Sequence, residues 1–239
     1  MTTTAPLRPF FGFYGGKWRD SPRHYPPPAH TRIIEPFAGS AGYSIRNPHL
    51  EVILCELDEQ IAAVWRYLIG ATRDDILSIP DLPAGATTAD LDIPQAARWL
   101  VGFWLNRGAS RPRTRPSAWM RQGIRPGSFW GDRVRNTIAD QLPAIRHWQI
   151  VEGSYADLTV DPGPATWFID PPYRDAGKHY HHGAADIDYH HLAEWCTTRP
   201  GQVIVCEAAS ADWLPFESLG GIKTTRATVR SAEAVWIRP

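Results

Sequence analysis

One stretch of this chain restricts its fold more than any other. Residues 31–37 (TRIIEPF) carry the apolar, β-branched character of a short buried strand, and they run into the small-residue turn Ala38-Gly39-Ser40-Ala41-Gly42. A second strand-like run, residues 51–57 (EVILCEL), follows closely. Residues 58–70 then place Ile61, Ala62, Val64, Trp65, Leu68 and Ile69 at helical spacing, with Asp58 as N-cap. Strand, glycine turn, a helix over residues 43–46 cut short by Pro48, strand and helix in this order predict a parallel α/β sheet.

The rest of the pattern is consistent with that frame. A helix is expected over residues 94–105, with Pro94 in its first turn, and another over residues 131–145. Strand signals return at residues 148–151, 166–169, 203–206 and 234–237, with a helix over 188–197. Residues 80–94 read as a linker. The 239 residues suit one large domain or a core carrying an insert. The expected division is a catalytic part over 1–71, an inserted recognition region over 72–147, and the remaining catalytic part over 148–239.

Several classes are disfavoured. No apolar run approaches the roughly eighteen residues of a membrane span, and the opening stretch lacks the basic start and apolar block of a secretion signal. Cys55, Cys196 and Cys206 lie in apolar surroundings without CxxC spacing, as reduced core cysteines do. A soluble, cytoplasmic protein is expected. His179, His181, His182, His190 and His191 lack a ligand grammar with acids or cysteines, so no metal is expected.

Formal net charge is zero, but its distribution is uneven. Between residues 98 and 135 the chain carries Arg98, Arg107, Arg111, Arg113, Arg115, Arg121, Arg125, Arg133 and Arg135 against one acid, Asp132. A phosphate backbone calls for such a stripe, though a solvated arginine-rich loop accounts for it equally well.

Three segments carry chemistry. Asp170-Pro171-Pro172-Tyr173 follows the apolar run Trp167-Phe168-Ile169, at the carboxyl end of a strand, where open α/β sheets hold ligands. The Asp170 carboxylate and the Pro171 carbonyl can accept both N–H bonds of an exocyclic amine, which frees its delocalised lone pair for attack on a methyl donor. The two prolines fix that geometry, and Tyr173 can stack on a base rotated out of a duplex. Glu35-Pro36-Phe37-Ala38-Gly39-Ser40-Ala41-Gly42 lets a backbone approach a ligand closely. Glu56, about twenty residues further on, can accept from both ribose hydroxyls of a nucleoside cofactor; Asp58 competes for that role, and a plain surface acid is the alternative. Phe13-Tyr14-Gly15-Gly16-Lys17 reads by itself as an aromatic anchor, a turn and a surface lysine.

Together and in this order, FYGGK, EPFAGSAG, ILCELD and FIDPPY resemble the motifs of the Dam-like (D12, alpha-class) DNA adenine-N6 methyltransferases. The resemblance implies a Rossmann-like sheet that uses S-adenosylmethionine, with a small, mostly helical DNA-recognition insert. It implies that Phe13, Tyr14 and Lys17 line the donor site and that the loop from Glu35 through Pro36, Phe37, Ala38, Gly39, Ser40 and Gly42 holds the methionine moiety. Glu56, with Asp58 beside it, is implied at the ribose, Ser154 and Tyr155 at the donor's adenine, and Asp170 at both donor and target. Glu56 stands where the family usually has aspartate, Gly153-Ser154-Tyr155 replaces a more acidic segment, and the insert matches least. The expected partner is double-stranded DNA, contacted by Arg107, Arg111, Arg113, Arg115, Arg121 and Arg125. Adenine N6 is the expected target, with cytosine N4 or a catalytically silent DNA-binding relative as alternatives. A monomer is expected, and a cognate restriction nuclease is compatible with the resemblance. The reading requires a cavity joining Asp170 to the glycine turn, and an Asp170 that is not buried in a salt bridge.

Overall fold

A computed structural model of the chain describes residues 6–19, 21–106, 108–118, 129–161, 163–175, 180–223 and 230–239, with the side chains of 221–223, 230 and 231 left aside. Its centre is one seven-stranded sheet. The strands are β1 (Arg32–Glu35), β2 (Glu51–Glu56), β3 (Gln149–Glu152), β4 (Ala165–Ile169), β5 (Gly201–Ala208), β6 (Glu217–Lys223) and β7 (Arg230–Arg238). They lie in the order β3-β2-β1-β4-β5-β7-β6. The first five run parallel, and β7 enters antiparallel between β5 and β6. The expected α/β sheet is therefore present, but it is mixed and not wholly parallel, because β7 pairs antiparallel with both β5 and β6.

Alternation along the strands sorts side chains into two cores, because successive residues of a strand point to opposite faces. Ile33, Val52, Leu54, Phe168 and Ile204 enter one core; Ile34, Ile53, Cys55, Trp167, Ile169 and Val203 enter the other. Both faces are covered, which is why these strands read as nearly unbroken apolar runs. The first face carries α2 (Glu59–Gly70), α4 (Gln95–Trp104) and α5 (Asp132–Gln141), together with Phe10 and Phe11 from the N-terminal loop. The second carries α6 (Tyr189–Thr197) through Leu192, Trp195 and Cys196. Two short helices, α1 (Ser21–His24) and α3 (Arg73–Leu77), complete the set of described α-helices.

Local chemistry explains the element ends. Asp58 caps α2 by accepting the N–H groups of Gln60 and Ile61. Pro94 stands at the N-cap just before α4 and not within its first turn, and the helix predicted over 131–145 tightens to a 3-10 turn at Leu142–Ile145, where Pro143 comes two residues after Gln141. The turn after β1 opens only the three-residue 3-10 helix Ser44–Arg46. The three cysteines are buried and unpaired. No described helix is long and apolar enough to cross a membrane.

The helices of the 72–147 stretch share a core with the sheet: Ile76, Leu100, Val101, Phe103, Val134 and Ile138 are all buried in it. The arginine-bearing loop after α4 is pinned to that helix. Arg113 donates its backbone N–H to Gly102, and Ser117 donates to Leu105. Gly102 permits this approach, since a Cβ there would stand 2.6 Å from the Arg113 carbonyl oxygen. Alanine would gain about 1 kcal/mol of helix propensity, but the obstacle is backbone and cannot swing aside. Gly102→Ala is therefore expected to destabilise the protein by about 1–3 kcal/mol in denaturant melts; an unchanged or raised stability would refute the close packing.

Candidate active site

The strand order places one position above all others. The chain moves from β1 to β2 to β3 on one side, then returns to lay β4 against the opposite edge of β1. Outward from the carboxyl ends of β1 and β4 lies the switch point at which open sheets hold ligands. The loop from Glu35 to Gly42 leaves one of these ends, and Asp170-Pro171-Pro172-Tyr173 leaves the other.

A cavity of about 970 Å³, including its open mouth, occupies this position. Its wall contains all fifteen residues that the sequence assigned to the donor site, from Phe13, Tyr14 and Lys17 through the glycine turn to Glu56, Asp58, Ser154, Tyr155 and Asp170. The cavity thus joins Asp170 to the glycine turn. Pro172 lines it as well. Pro171 is buried, and Tyr173 does not reach the cavity: its ring lies 4.9 Å from the Lys17 ammonium and its hydroxyl donates to Glu233. Among the aromatic groups that line the cavity is Tyr180, which sequence reading missed. It stands 5.9 Å from the Phe13 ring and donates to the Tyr14 carbonyl. His181 and His182 join it in the wall.

The glycine turn is built around Glu56. One Glu56 oxygen accepts from the Gly39 N–H at 2.9 Å and the other from the Asp58 N–H at 3.0 Å. Gly39 has φ +45°, and a Cβ there would meet the Phe13 ring at 3.0 Å. Ala41 also takes a left-handed φ of 51°, a strained conformation of the kind that clusters at ligand sites. Burial pushes the Glu56 carboxyl up to about 7, against the pull of the Asp58 and Gly39 N–H groups, and the Asp58 charge adds to the rise. The same carboxylate borders the cavity beside the tilted pair Phe37 and Tyr155, whose rings are 5.2 Å apart.

Glu35 faces inward. It is 2% exposed and accepts the Ser44 N–H at 2.7 Å, which ties the turn to its own 3-10 helix. Its carboxyl is pushed up to about 8, chiefly by burial, with the Ser44 hydrogen bond pulling the other way.

Asp170 is held by Lys17, whose ammonium lies 2.9 Å from its Oδ1 and also donates to the Gly15 carbonyl at 3.0 Å. Of the two conditions set by the sequence reading, the cavity is met and the second is met in part: Asp170 is in an ion pair, yet its side chain keeps 21% exposure and lines the cavity. Burial alone would depress the Lys17 ammonium, but Asp170 and Glu233 outweigh it and hold the group above the ordinary lysine range. The corner around Asp170 is fixed at successive residues. Tyr189 of α6 donates its hydroxyl to the Pro172 carbonyl, Tyr173 reaches Glu233 on β7, and the Arg174 N–H donates to Glu207 of β5 at 3.3 Å.

The arginines divide. Arg111, Arg113 and Arg115 are exposed on the pinned loop, which meets the cavity wall at Ser110. Arg135 is buried against Asp81 and Asp132, and Arg98 donates to the Leu91 carbonyl, so both serve the scaffold. Arg107, Arg121 and Arg125 lie outside the described residues, as does His179. The remaining histidines pair locally: His181 with Asp58, His191 with Tyr155 and His190 with Glu194. Among the described residues no group of three or more His, Cys, Asp or Glu could hold a metal ion.

Fold and site define a mixed α/β protein with a cavity at the switch point of its sheet. No family model matches the chain, and no curated protein matches it. Among solved structures it is similar to a conserved hypothetical protein from Streptococcus pyogenes, at 11% identity, TM-score 0.37, over 87% of this chain and 86% of the other. It is also similar to the glycopeptide N-methyltransferase MtfA complexed with S-adenosylmethionine, at 12% identity, TM-score 0.36, over 100% and 82%. Scores this low leave fold and chemistry to rest on the strand order and the cavity themselves.

The Glu35 geometry carries a pH dependence. Its folded value of about 8 lies above the ordinary 4.5, so the folded state holds the proton more tightly. The associated stability is complete below pH 4.5 and is lost as pH rises towards 8. Glu35→Gln keeps the acceptor for Ser44 without the charge. Relative to this variant, the native protein should lose about 3 kcal/mol between pH 4.5 and 7; parallel stability curves for the two would exclude a buried, neutral Glu35.

Proposed function

We propose that this protein transfers a methyl group from S-adenosylmethionine to the exocyclic amine of a base in double-stranded DNA, with adenine N6 as the target. The observation that carries the reading is the cavity in which the Gly39 turn, the Glu56 carboxylate, Asp170 and Pro172 meet. Glu56 is fixed by two backbone N–H groups and retains lone pairs for ribose hydroxyls, while Phe37 and Tyr155 border a place for a flat ring.

The residues present thus fit the methyl donor, with Glu56 at its ribose and the Glu35 to Gly42 turn at its methionine end. When bound, that cofactor supplies an electrophilic methyl on a sulfonium centre. The chain supplies the grip on the acceptor. The Asp170 carboxylate and the Pro171 carbonyl accept the two N–H bonds of the amino group and draw its lone pair out of the ring. Lys17 opposes the rise that burial imposes on the Asp170 carboxyl and holds it in place, and in doing so competes for one of its oxygens. Tyr180, at the cavity wall, takes the stacking role expected of Tyr173. Residues 72–147 are proposed as the recognition region, with Arg111, Arg113 and Arg115 on phosphates.

Incubation with tritium-labelled methyl donor and mixed-sequence duplex DNA should yield label recovered as N6-methyladenine. Label in protein but none in DNA would reject the reading, whereas N4-methylcytosine would keep the chemistry and replace the base. Asp170→Asn, which preserves size and leaves Lys17 its hydrogen bond to Gly15, should lower transfer at least 100-fold while donor binding changes by less than about 3-fold; full turnover would remove Asp170 from the reaction.

Replacing Arg111, Arg113 and Arg115 together by alanine should reduce the slope of log affinity against log salt by about 2–3, near 0.9 for each phosphate no longer neutralised. An unchanged slope would show that the loop faces away from DNA.

A further inference from the structure

Behind Lys17 and Asp170 of the cavity wall lies a buried carboxylate that no motif assigned. Glu233 of β7 is 8% exposed, an uncommon position for a carboxylate. Its Oε2 accepts the hydroxyl of Tyr173, the ring of Tyr173 lies beneath the Lys17 ammonium at 4.9 Å, and Lys17 reaches Asp170 at 2.9 Å. Four side chains from three remote parts of the sequence thus form one line: Glu233, Tyr173, Lys17, Asp170. Cys206 and Tyr25, a thiol and a phenol both held well above their ordinary values by burial, complete its surroundings.

The line has a physical reason. A buried ammonium costs several kcal/mol in lost hydration unless opposed by anions in fixed geometry. Asp170 pairs with Lys17 at 2.9 Å while it lines the cavity. A second anion beyond the ring divides that pull, and the Tyr173 face adds a cation–π contact that fixes where the ammonium sits.

We propose that Glu233 and Tyr173 are positioning residues, which act through Lys17 to set the orientation of the Asp170 carboxylate. This rests on the methyl-transfer reading and adds to it a role for the aromatic residue of the DPPY segment other than stacking on a base. Tyr173 belongs to the floor of the site.

The test uses the full chain with Tyr173→Phe, Glu233→Gln and the double variant. Each single variant is expected to lower kcat about 10- to 100-fold, as small misplacements of a reacting group do, while donor binding and melting temperature stay near native. The double variant should be no slower than the worse single, because both break one line. In Glu233→Gln the acidic limb of the kcat profile should move to lower pH, since an anion that raises the Asp170 carboxyl has been removed. Native kcat, an unmoved acidic limb, or multiplicative losses in the double variant would overturn the inference. A readout independent of turnover comes from the scarcity of lysine, as the chain has only Lys17, Lys178 and Lys223. With ¹⁵N-lysine labelling, the Lys17 ammonium signal, identified by its loss in Lys17→Arg, should exchange with water about 10-fold faster or more in either variant. Should the native protein methylate nothing, faster exchange would uphold the line of side chains while the proposed reaction failed. Unaltered exchange would overturn the line itself.

Discussion

The pairing of β1 with β4 is the constraint from which the rest follows. These strands lie about 130 residues apart in sequence and meet in parallel through Ile33 with Thr166 and Ile34 with Trp167. Their junction sets the Glu35 turn beside the Asp170 corner and opens the crevice between them. Neither segment alone makes a site. The glycine turn offers a close approach without a reacting group, and the proline corner offers acceptors without a pocket. Both sheet faces must be covered for this junction to sit in the interior, and the alternation of Ile33 and Ile34 into separate cores provides that cover.

Burial then sets the electrostatics. The acids near the cavity respond differently according to what faces them. Glu56 and Glu35 rise because water is removed and only hydrogen bonds oppose the effect, so both hold protons into the neutral range. Asp170 rises too, chiefly through burial, but there the Lys17 ammonium pulls it back while the Glu233 charge adds to the rise. One crevice therefore contains acids with distinct tasks: Glu35 braces the turn, Glu56 ties the turn to β2 and borders the cavity, and Asp170 stands at the mouth of the proline corner.

Much of this could be read from the residues. Buried parallel strands announce themselves as apolar runs, so β1, β2, β4 and β5 were legible, as was the Asp58 cap of α2. The cavity wall was legible because glycine and acid spacing reflects backbone geometry near a ligand. β6 was not, since Ser218-Leu219-Gly220-Gly221 has no strand signature and the strand pairs only with β7 through an irregular register. Tyr173 lies away from its expected place, and Tyr180 went unread, for a related reason. Sequence position tells which strand a side chain leaves, whereas the direction it takes depends on a partner such as Glu233, brought from another strand by the fold. Within the arginine stripe, composition could not separate Arg135, which is enclosed by Asp81 and Asp132, from the outward-facing Arg111, Arg113 and Arg115.

The wall of the crevice draws on residues 13 to 187, and its supports enter both hydrophobic layers. A molecule seated there would touch segments that find one another only when the whole topology has closed. Occupancy would be linked by mass action to the global folding equilibrium and not to a local flap. Saturating amounts of a tight ligand would then raise the cooperative melting transition as a unit, and a chain interrupted anywhere between the first strand and the fourth would lose its receptor together with its fold.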